Sequence, residues 1–361
     1  MNEAKKSRLE PITVDRRVPV LDALKRMDRE DRKLLLVQDG DTYHGLLSIG
    51  DIQRAIIANR SLDTPVGEVM RKNIRVAHAR DPFEDIRAMM IRFRTEFMPV
   101  LDDQGNLTDV FFWDDVAGGR IPSRHPIDLP VVVMAGGKGT RLKPFSNILP
   151  KPLFPLGDKT ILEVILDKFR DAGCSHFWVS VNYKASFIQT YLDQLELPPG
   201  SVQTFREPEP LGTAGSLHLI RDHIREPFFV TNCDIIINTD YSEIVQYHRE
   251  HRNEITVVAA LKHFQVPYGT LETGEGGRLL SLREKPEWSH LINAGLYLLE
   301  PGLLHEIPEQ TFYHITHLID AILQRSGRVG VYPVSENSWS DIGQWDEYRR
   351  TLSKLGTHLP I

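Results

Sequence analysis

Residues 131–152 of this 361-residue chain read VVVMAGGKGTRLKPFSNILPKP. The apolar run Val131–Met134 predicts a buried strand that leads directly into a glycine-rich loop. Glycine lets backbone N–H groups approach a polyphosphate closely, and the cationic side chains of Arg141 and Lys151 follow in the same stretch. The spacing matches neither a Walker loop nor a dinucleotide-binding fingerprint, whose third glycine would fall at Leu142. The stretch therefore predicts a triphosphate-binding loop of another kind.

The length and composition of the chain limit the class of protein. At about 100–200 residues per domain, 361 residues suggest two or three domains. The formal net charge of −6 and the lack of a basic block argue against binding of nucleic acid. The two cysteines, Cys174 and Cys233, exclude a disulfide framework and suit a reducing compartment. With no signal-peptide core and no apolar run of about 20 residues, we expect a soluble cytoplasmic protein that does not contact a membrane.

An internal repeat with a period of about 63 residues precedes residue 119. The paired segments are residues 18–24 with 81–87, 35–39 with 98–102, and 45–52 with 109–116. Their patterns predict a helix start, a strand that ends in a turn, and a strand that leads into a helix. We therefore expect an α+β domain pair over residues 8–118, with repeats at about 8–60 and 65–118, and a glycine- and proline-rich linker over residues 119–128.

This β-α-β-β-α repeat resembles a tandem pair of CBS domains. In that family, a Ser/Thr-x-x-Asp motif at the end of the last strand holds the ribose and phosphate of an adenosine nucleotide. The first repeat keeps the motif as Ser48 and Asp51, whereas the second keeps Asp115 but has Phe112 in place of the hydroxyl residue. The resemblance implies an adenosine nucleotide or another small regulator in at most one cleft, or else a dimerisation platform without a ligand. We expect a homo-oligomer.

After the linker, strand-like and helix-like segments alternate over residues 129–355. The predicted strands are Val131–Met134, Phe177–Val181, Pro227–Thr231, Ile255–Leu261 and Asn293–Leu299. The predicted helices are Thr160–Ala172, Ala185–Leu195, Thr213–Ile224 and Tyr241–His251. This alternation predicts an α/β domain with a mainly parallel sheet covered by helices on both sides. Because ligands of such sheets bind at the carboxyl ends of the strands, the glycine-rich loop is expected at the site.

The loop, together with Pro150-Lys151-Pro152, resembles the signature of sugar-1-phosphate nucleotidyltransferases. The resemblance implies a Rossmann-like, GT-A-like domain in which Arg141 grips the outer phosphates of a triphosphate. It places Lys151 near the α-phosphate that is transferred. It also implies contacts to the nucleotide from a set of loop residues: Ala135, Gly136, Gly137, Gly139 and Thr140.

Nucleotidyl transfer joins two polyanions, so the site must neutralise charge rather than remove a proton. An anionic oxygen of the sugar 1-phosphate attacks the α-phosphorus, and pyrophosphate leaves. Asp234 follows the predicted strand Pro227–Thr231, where a buried carboxylate is costly unless it is paired or bound to a metal. A second carboxylate, Asp341, lies in a Trp-x-Asp-Ile-Gly motif at residues 339–343. By the resemblance, Asp234 and Asp341 hold one Mg²⁺ together with phosphate and water oxygens. A helix N-cap is the alternative role for Asp341.

The segment Glu207–Gly215, which reads EPEPLGTAG, resembles the base-recognition loop of the same family. Gly212 allows backbone contact with a base edge, and Thr213 fits either such a contact or a helix N-cap. The carboxylate of Glu207 suits the N1–H and N2–H₂ donors of guanine, whereas relatives that use thymidine or uridine triphosphate often carry an amide there. GTP is therefore favoured. UTP stays open, because uridylyltransferases also use similar loops with glutamate.

Further motifs resemble the sugar side of the family's site. By that match Lys285 binds the phosphate of the sugar, Glu284 and Asn293 bind hydroxyl groups, and Gly269 lets the sugar lie against the backbone. The joint architecture resembles the guanylyltransferases that make GDP-glucosamine for bacterial legionaminic acid synthesis. We therefore predict Mg²⁺-dependent transfer of GMP from GTP to glucosamine 1-phosphate. The alternatives are mannose 1-phosphate, a heptose 1-phosphate, UTP with an amino sugar, and, from another class, a non-catalytic nucleotide-sugar sensor.

Two histidine pairs have the spacing of metal ligands on a helix: His248 with His251, and His314 with His317. Neither pair has a cysteine or carboxylate partner evident in the sequence. Solvent-facing or capping histidines are therefore expected at these positions.

Overall fold

A computed structural model of the protein describes residues 9–30, 32–40, 42–72, 74–93, 97–112, 126–336 and 338–354. Asp115, the predicted linker as far as residue 125, and the chain from residue 355 lie outside these ranges. Within them, two small α+β units are followed by a larger α/β domain. No helix of the described part is both long and apolar enough to span a membrane.

Each small unit is built on a three-stranded sheet with the same pairing. The first unit contains β1 (Thr13–Asp15), α1 (Val20–Arg29), β2 (Leu34–Asp39), β3 (Thr42–Ser48) and α2 (Ile49–Ile57). The short helix α3 (Val66–Val69) follows and packs on the first unit, where Val66 is buried in the core and its N–H donates to the carbonyl of Val18 at 2.8 Å. The second unit contains β4 (Ala77–His78), α4 (Phe83–Phe93), β5 (Phe97–Leu101) and β6 (Leu107–Phe112). In both units the first two strands pair parallel across a helix, and the last two pair antiparallel across a short turn. The predicted repeat is confirmed as far as residue 112.

A seven-stranded sheet forms the centre of the larger domain. In spatial order its strands are β11 (Val202–Arg206), β10 (Phe177–Val181), β7 (Val131–Met134), β12 (Phe228–Asn232), β17 (Glu287–Leu299), β14 (Ile255–Gln265) and β18 (Val329–Ser335). Within this sheet β17 runs antiparallel to both neighbours, and all other pairs are parallel. The mainly parallel α/β sheet is therefore confirmed, with each predicted strand present.

Short ladders and helices surround the sheet. The ladders pair β8 (Pro155–Leu156) with β9 (Lys159–Thr160), β13 (Ile235–Ile237) with β19 (Trp339–Asp341), and β15 (Thr270–Thr273) with β16 (Leu279–Arg283). The helices are α5 (Ile161–Asp171), α6 (Ala185–Gln194), α7 (Tyr241–His251), α8 (Ile315–Gln324) and α9 (Trp345–Lys354). Helix α5 begins at a capping box, in which Thr160 and Glu163 exchange side-chain and backbone hydrogen bonds.

The predicted α-helix Thr213–Ile224 is wrong. Only Gly215–Ile220 is helical there, and it is a 3₁₀-helix. The N–H groups of Ala214 and Gly215 both donate to the carbonyl of Tyr313, at 3.0 and 2.9 Å. This segment therefore begins by bonding to a distant part of the chain, a contact that helical periodicity in the sequence cannot reveal.

The central sheet separates two apolar layers. Val131 and Val133 pack into the layer that contains α5, whereas Val132 and Met134 pack into the opposite layer. Successive residues of a strand point to opposite faces, so a strand covered on both faces is apolar throughout. Because both of its faces are covered, β7 lies inside the sheet. The glycine-rich loop begins at its carboxyl end.

Helix α2 of the first small unit lies against β18, an edge strand of the central sheet. Gln53 is buried in this contact, where Nε2 donates to the carbonyl of Pro333 at 2.6 Å and Oε1 accepts from the hydroxyl of Tyr332 at 3.3 Å. Lys33 Nζ also donates to the carbonyl of Asn238, at 3.2 Å. The small unit thus covers a sheet edge that would otherwise present unpaired backbone groups.

Candidate active site

The glycine-rich loop leaves the carboxyl end of β7 and packs against Lys151. Gly139 has a left-handed backbone with φ 61°, and a Cβ there would lie 3.2 Å from the Cβ of Lys151 and 3.4 Å from that of Ser146. A Cβ on Gly137 would meet no heavy atom within 4 Å. Close packing therefore requires glycine at position 139, whereas Gly137 exposes its backbone to the cleft that it lines.

Glu207 packs directly against this loop. A Cβ on Gly136 would lie 2.7 Å from Oε1 of Glu207, so the approach depends on glycine. Oε1 accepts a hydrogen bond from the hydroxyl of Ser180, and Oε2 accepts one from the N–H of Leu211 at 3.2 Å. Each carboxylate oxygen keeps a further lone pair, so the protein fixes the side chain while leaving it able to accept from a ligand.

The β13–β19 ladder brings two distant carboxylates together. Ile235 is opposite Asp341 in its register, and the N–H of Ile342 donates to the carbonyl of Asp234 at 2.8 Å. The side chain of Asp341 is oriented by the N–H of Gly343, which donates to its Oδ1 at 2.7 Å. Two residues that are 107 positions apart (341 minus 234) thus flank one point at the end of β12.

A buried salt bridge lies beside these carboxylates. Lys151 Nζ donates to Oδ2 of Asp234, with side-chain exposures of 8% and 17%. Burial raises the pKa of Asp341, and the negative charge of Asp234 raises it further. The N–H of Gly343 and the charges of Lys151 and Arg141 act against that rise in pKa. The negative charge at this point is therefore only partly compensated by the protein.

The donor set suits a hard divalent cation. Two carboxylates that repel each other would be stabilised by a cation between them, and Mg²⁺ prefers oxygen ligands. No cluster of three or more histidine, cysteine or acidic side chains able to hold a metal occurs in the part of the chain that the structure describes. Asp234 and Asp341 would therefore supply two ligands, and the remaining positions would fall to substrate and water oxygens.

A cleft of about 360 Å³ opens at the carboxyl ends of β7 and β12. It brings together ten residues predicted from the sequence: Gly136, Gly137, Gly139, Thr140, Arg141, Lys151, Glu207, Gly212, Thr213 and Asp234. Ala135 is buried instead, and its N–H donates to the carbonyl of Ser180 at 3.1 Å. The phosphate-side and base-side motifs thus share one cleft.

Three of the four predicted sugar-side residues lie next to the β15–β16 hairpin rather than in the cleft lining. Gly269 and Glu284 flank the β15–β16 hairpin and touch each other, since a Cβ on Gly269 would lie 2.9 Å from Oε2 of Glu284. These two residues and Lys285 are not among the described residues that line the cleft. Asn293 lies closer to it: Oδ1 accepts from the N–H of Gly295, and a Cβ on Gly295 would lie 2.8 Å from the amide of Asn232.

The Ser48–Asp51 motif of the first small unit forms a capping box at the start of α2. The Ser48 hydroxyl donates to Oδ2 of Asp51 at 2.6 Å, and Oδ1 accepts from Arg54 and from Arg71. The buried Asp51 carboxylate is therefore satisfied by the protein's own groups. The second candidate, Asp115, lies outside the described residues.

The expectation for the histidine pairs is wrong at His248. This side chain is buried, and its two ring nitrogens bond to Thr256 Oγ1 at 2.8 Å and to Glu300 Oε1 at 3.3 Å. Because Thr256 and Glu300 provide partners for both ring nitrogens, the imidazole of His248 does not need hydrogen bonds to solvent. His314 does lie at a cap, where it precedes α8.

Six further residues line the cleft: Met134, Pro210, Asn232, Cys233, Phe312 and Gly343. Pro210 and Gly343 belong to motifs that the sequence assigned to the site, but none of the six was predicted individually as a site residue. Asn232 and Cys233 could have been found, since they end a strand beside Asp234. Phe312 carries no sequence signal, because it reaches the cleft through backbone hydrogen bonds between distant segments, such as the one from Tyr313 N to the carbonyl of Leu211 at 2.8 Å.

Comparison with known families identifies this architecture. The family model described as nucleotidyl transferase matches residues 130–357, and the model described as CBS domain matches residues 7–58 and 66–118. The chain belongs to the nucleotidyl transferase family and carries a tandem CBS pair at its N-terminal side.

Two curated relatives illustrate the similarity. Mannose-1-phosphate guanylyltransferase catalytic subunit beta from Drosophila pseudoobscura pseudoobscura is 34% identical over 221 residues, which cover 59% of this chain and 58% of that protein. Mannose-1-phosphate guanyltransferase beta-B from Xenopus laevis is 32% identical over 223 residues, with coverage of 60% and 61%. The chain thus spans about three fifths of the length of these relatives.

A solved structure supports the fold. The crystal structure of HddC from Yersinia pseudotuberculosis has a TM-score of 0.50 and is 26% identical, with coverage of 63% of this chain and 99% of that one. A second HddC structure, complexed with GMP-PN, has the same TM-score at 24% identity. That second comparison bears on the fold alone.

Proposed function

We propose that the chain transfers a nucleotidyl group from a nucleoside triphosphate to a sugar 1-phosphate, with release of pyrophosphate. The observation that carries the proposal is the β13–β19 ladder, which holds Asp234 and Asp341 beside Lys151 at the end of the cleft. The family membership supports it independently. A cationic, backbone-lined cleft next to paired carboxylates suits a reaction between two polyanions.

In the proposed reaction, an anionic oxygen of the sugar phosphate forms a bond to the α-phosphorus. The bond from that phosphorus to the oxygen that bridges to the β-phosphate breaks, and pyrophosphate carries away the charge. Lys151, oriented by Asp234, supplies positive charge near the α-phosphate. Arg141 packs at Gly343, with Nη2 3.3 Å from the position of an added Cβ, and supplies charge to the outer phosphates.

Mg²⁺ is the proposed cofactor. When bound at Asp234 and Asp341, it would supply charge that both substrates can share. The proximity of the two carboxylates, whose negative charge the protein compensates only in part, supports this role. Chelation should therefore abolish turnover, and added Mg²⁺ should restore it.

GTP is the proposed nucleotide. Glu207 lies against the glycine-rich loop and keeps lone pairs for guanine donors, and the curated relatives named above are guanylyltransferases. For the acceptor, the names of those relatives favour mannose 1-phosphate. The joint CBS and transferase architecture resembles that of the guanylyltransferases of legionaminic acid synthesis, and this resemblance favours glucosamine 1-phosphate.

Pyrophosphate release tests these proposals. The full chain is assayed with GTP, UTP, dTTP and ATP against glucosamine 1-phosphate, mannose 1-phosphate and a heptose 1-phosphate. We expect turnover with GTP and with one of the first two sugars. No GTP turnover with any of them overturns the guanylyl assignment. Nucleotide binding without turnover in every combination identifies the sensor instead.

The CBS pair is proposed to bind a small regulator, with the Ser48–Asp51 motif as the candidate site. Arg71 Nε donates to Asp51 at 2.8 Å, so a ribose would have to share or displace that contact. Calorimetry with AMP and ATP, paired with rate measurements, tests the proposal. The absence of both binding and a rate effect would support the alternative of a platform without a ligand.

A further inference from the structure

The cleft contains an exposed aromatic ring at its base-side end. Phe312 is 57% exposed although it lines a concave surface, and it is the only aromatic residue among the described residues that line the cleft. Its ring meets that of His314 at a centroid distance of 4.7 Å and an interplanar angle of 80°. The perpendicular contact leaves more than half of the side chain exposed, so a ligand in the cleft that covered the ring would gain hydrophobic stabilisation.

The backbone around this ring is fixed to the base-side loop. Tyr313 N donates to the carbonyl of Leu211 at 2.8 Å, and the carbonyl of Tyr313 accepts from two N–H groups of the same loop. Gly212 permits the approach, because a Cβ there would lie 2.7 Å from the carbonyl oxygen of Tyr313. Thr213 Oγ1 accepts from Ile315 N at 3.0 Å, which adds a side-chain hydrogen bond between the same two segments. The residues that directly follow Phe312 are thus bonded to the loop that contains Gly212, which places Phe312 next to that loop.

We propose that Phe312 stacks on the nucleobase and favours purine over pyrimidine nucleotides; the inference rests on the proposed function. The flat ring and the glycine beside it suit a planar group. A purine offers two fused rings for stacking and a pyrimidine one, so a purine covers more of the exposed ring. Glu207 lies in the same cleft and offers acceptors for the edge of the base. Stacking on Phe312 and acceptance at Glu207 together select guanine.

The test compares Phe312→Ala, Phe312→Leu and Phe312→Tyr with the wild-type full chain. Phe312→Leu keeps apolar volume without a ring, and Phe312→Tyr keeps the ring. Stacking on an aromatic side chain changes affinity by about 5- to 150-fold per base, so KM for GTP should rise in this range in the first two variants. KM for the sugar 1-phosphate should stay unchanged. The Tyr variant should restore the wild-type KM for GTP.

A comparison of two bases and a control substitution away from the cleft make the test specific to Phe312. Affinity for GTP should fall more than affinity for UTP, which calorimetry measures directly. Phe83→Ala is the matched control, because Phe83 is a partly exposed phenylalanine of the CBS pair that contacts Phe111 instead of the cleft. This variant should leave both affinities unchanged. Thermal melts establish that each variant folds, and Phe312→Leu carries the test if Phe312→Ala does not fold.

Several results overturn the inference. They are an unchanged affinity for GTP in Phe312→Leu, an equal loss for GTP and UTP, or failure of Phe312→Tyr to restore binding. A wild-type chain that binds GTP but turns over no sugar 1-phosphate overturns the proposed function instead. In that case the calorimetric comparison of GTP and UTP still decides the role of Phe312.

Discussion

Lys151 and Asp234 form a salt bridge at the end of the cleft, with both side chains largely withdrawn from solvent. The lysine comes from the segment that follows the glycine-rich loop, and the aspartate comes from the carboxyl end of β12. Their contact joins the part of the cleft proposed for the phosphates to the proposed metal ligands. Each charge orients the other, so loss of either one should alter both functions.

Replacing the carboxylate of Asp234 tests its proposed role as a metal ligand. Asp234→Asn keeps the shape but removes the negative charge, which weakens Mg²⁺ binding and releases Lys151 from its partner. Changes that merely reorient metal ligands cost about 10- to 100-fold, so we expect turnover to fall by about 100-fold or more. The rate of pyrophosphate release at increasing Mg²⁺ concentration measures the effect.

Asp193→Asn provides the matched control, because Asp193 is exposed on helix α6 and away from the cleft lining. It should retain the wild-type rate and Mg²⁺ dependence. If Asp234→Asn kept wild-type turnover with an unchanged Mg²⁺ requirement, Asp234 would not be a metal ligand.

Gly343 offers a steric test of the same centre. A Cβ at this position would lie 2.6 Å from Oδ1 of Asp341, 3.3 Å from Nη2 of Arg141 and 3.4 Å from Oδ2 of Asp234. Gly343→Ala should therefore displace the carboxylates and reduce kcat by about 10- to 100-fold, because small misplacements of reacting groups are costly. Steady-state kinetics of pyrophosphate release check this loss.

Gly302→Ala is the control for a glycine substitution as such, since a Cβ there would have no heavy atom within 4 Å. We expect normal kinetics from it and a thermal midpoint close to wild type. Normal kinetics in Gly343→Ala as well would contradict the close packing of Asp341 against Gly343.

The sequence predicted the parts of the fold that depend on local pattern. Val131–Met134 was recognisable because a strand buried on both faces is apolar throughout. The edge strand β11 was missed because it mixes polar and apolar residues and buries only Phe205. The edge strand β18 was missed although it is largely buried, because Gly330 and Pro333 are unfavourable inside a strand. In the site, glycine spacing and acidic strand ends revealed Gly139 and Asp234. The roles of Ser180 and Phe312 depend on contacts between distant segments, which no local pattern reports.

The contact between the CBS pair and the larger domain depends on Gln53. Gln53→Ala would leave the buried carbonyl of Pro333 without its donor and the hydroxyl of Tyr332 without one acceptor. Leaving a buried polar group unsatisfied costs about 1–3 kcal/mol, so we expect a loss of stability of that size. Urea denaturation followed by fluorescence, together with limited proteolysis between the two parts, measures the loss.

Gln324→Ala is a matched control on the exposed last turn of α8. A surface substitution of this kind changes stability by about 0.5 kcal/mol or less. Equal stability of the two variants would show that the contact through Gln53 does not hold the small unit on β18.

His248 predicts a pH dependence of folding. Burial lowers the pKa of this histidine below its usual value of 6.5, while Glu300 partly opposes the shift. Well above pH 6.5 the ring is neutral in both folded and unfolded chains, so it contributes no pH dependence there. As the pH falls through 6.5, the unfolded chain takes up a proton that the folded chain resists. The free energy of unfolding should therefore fall, by at most about 1.4 kcal/mol per pH unit from this residue.

His248→Gln removes the titrating group and keeps a polar side chain near Thr256. Its urea midpoint should decline less than that of the wild type between pH 7.5 and pH 5.5, even if it is lower at pH 7.5 through imperfect packing. His251→Gln, at an exposed position on the same helix, is the matched control and should follow the wild-type curve. An equally steep decline in His248→Gln and the wild type would show that other groups, rather than burial of His248, set the acid limit of the fold.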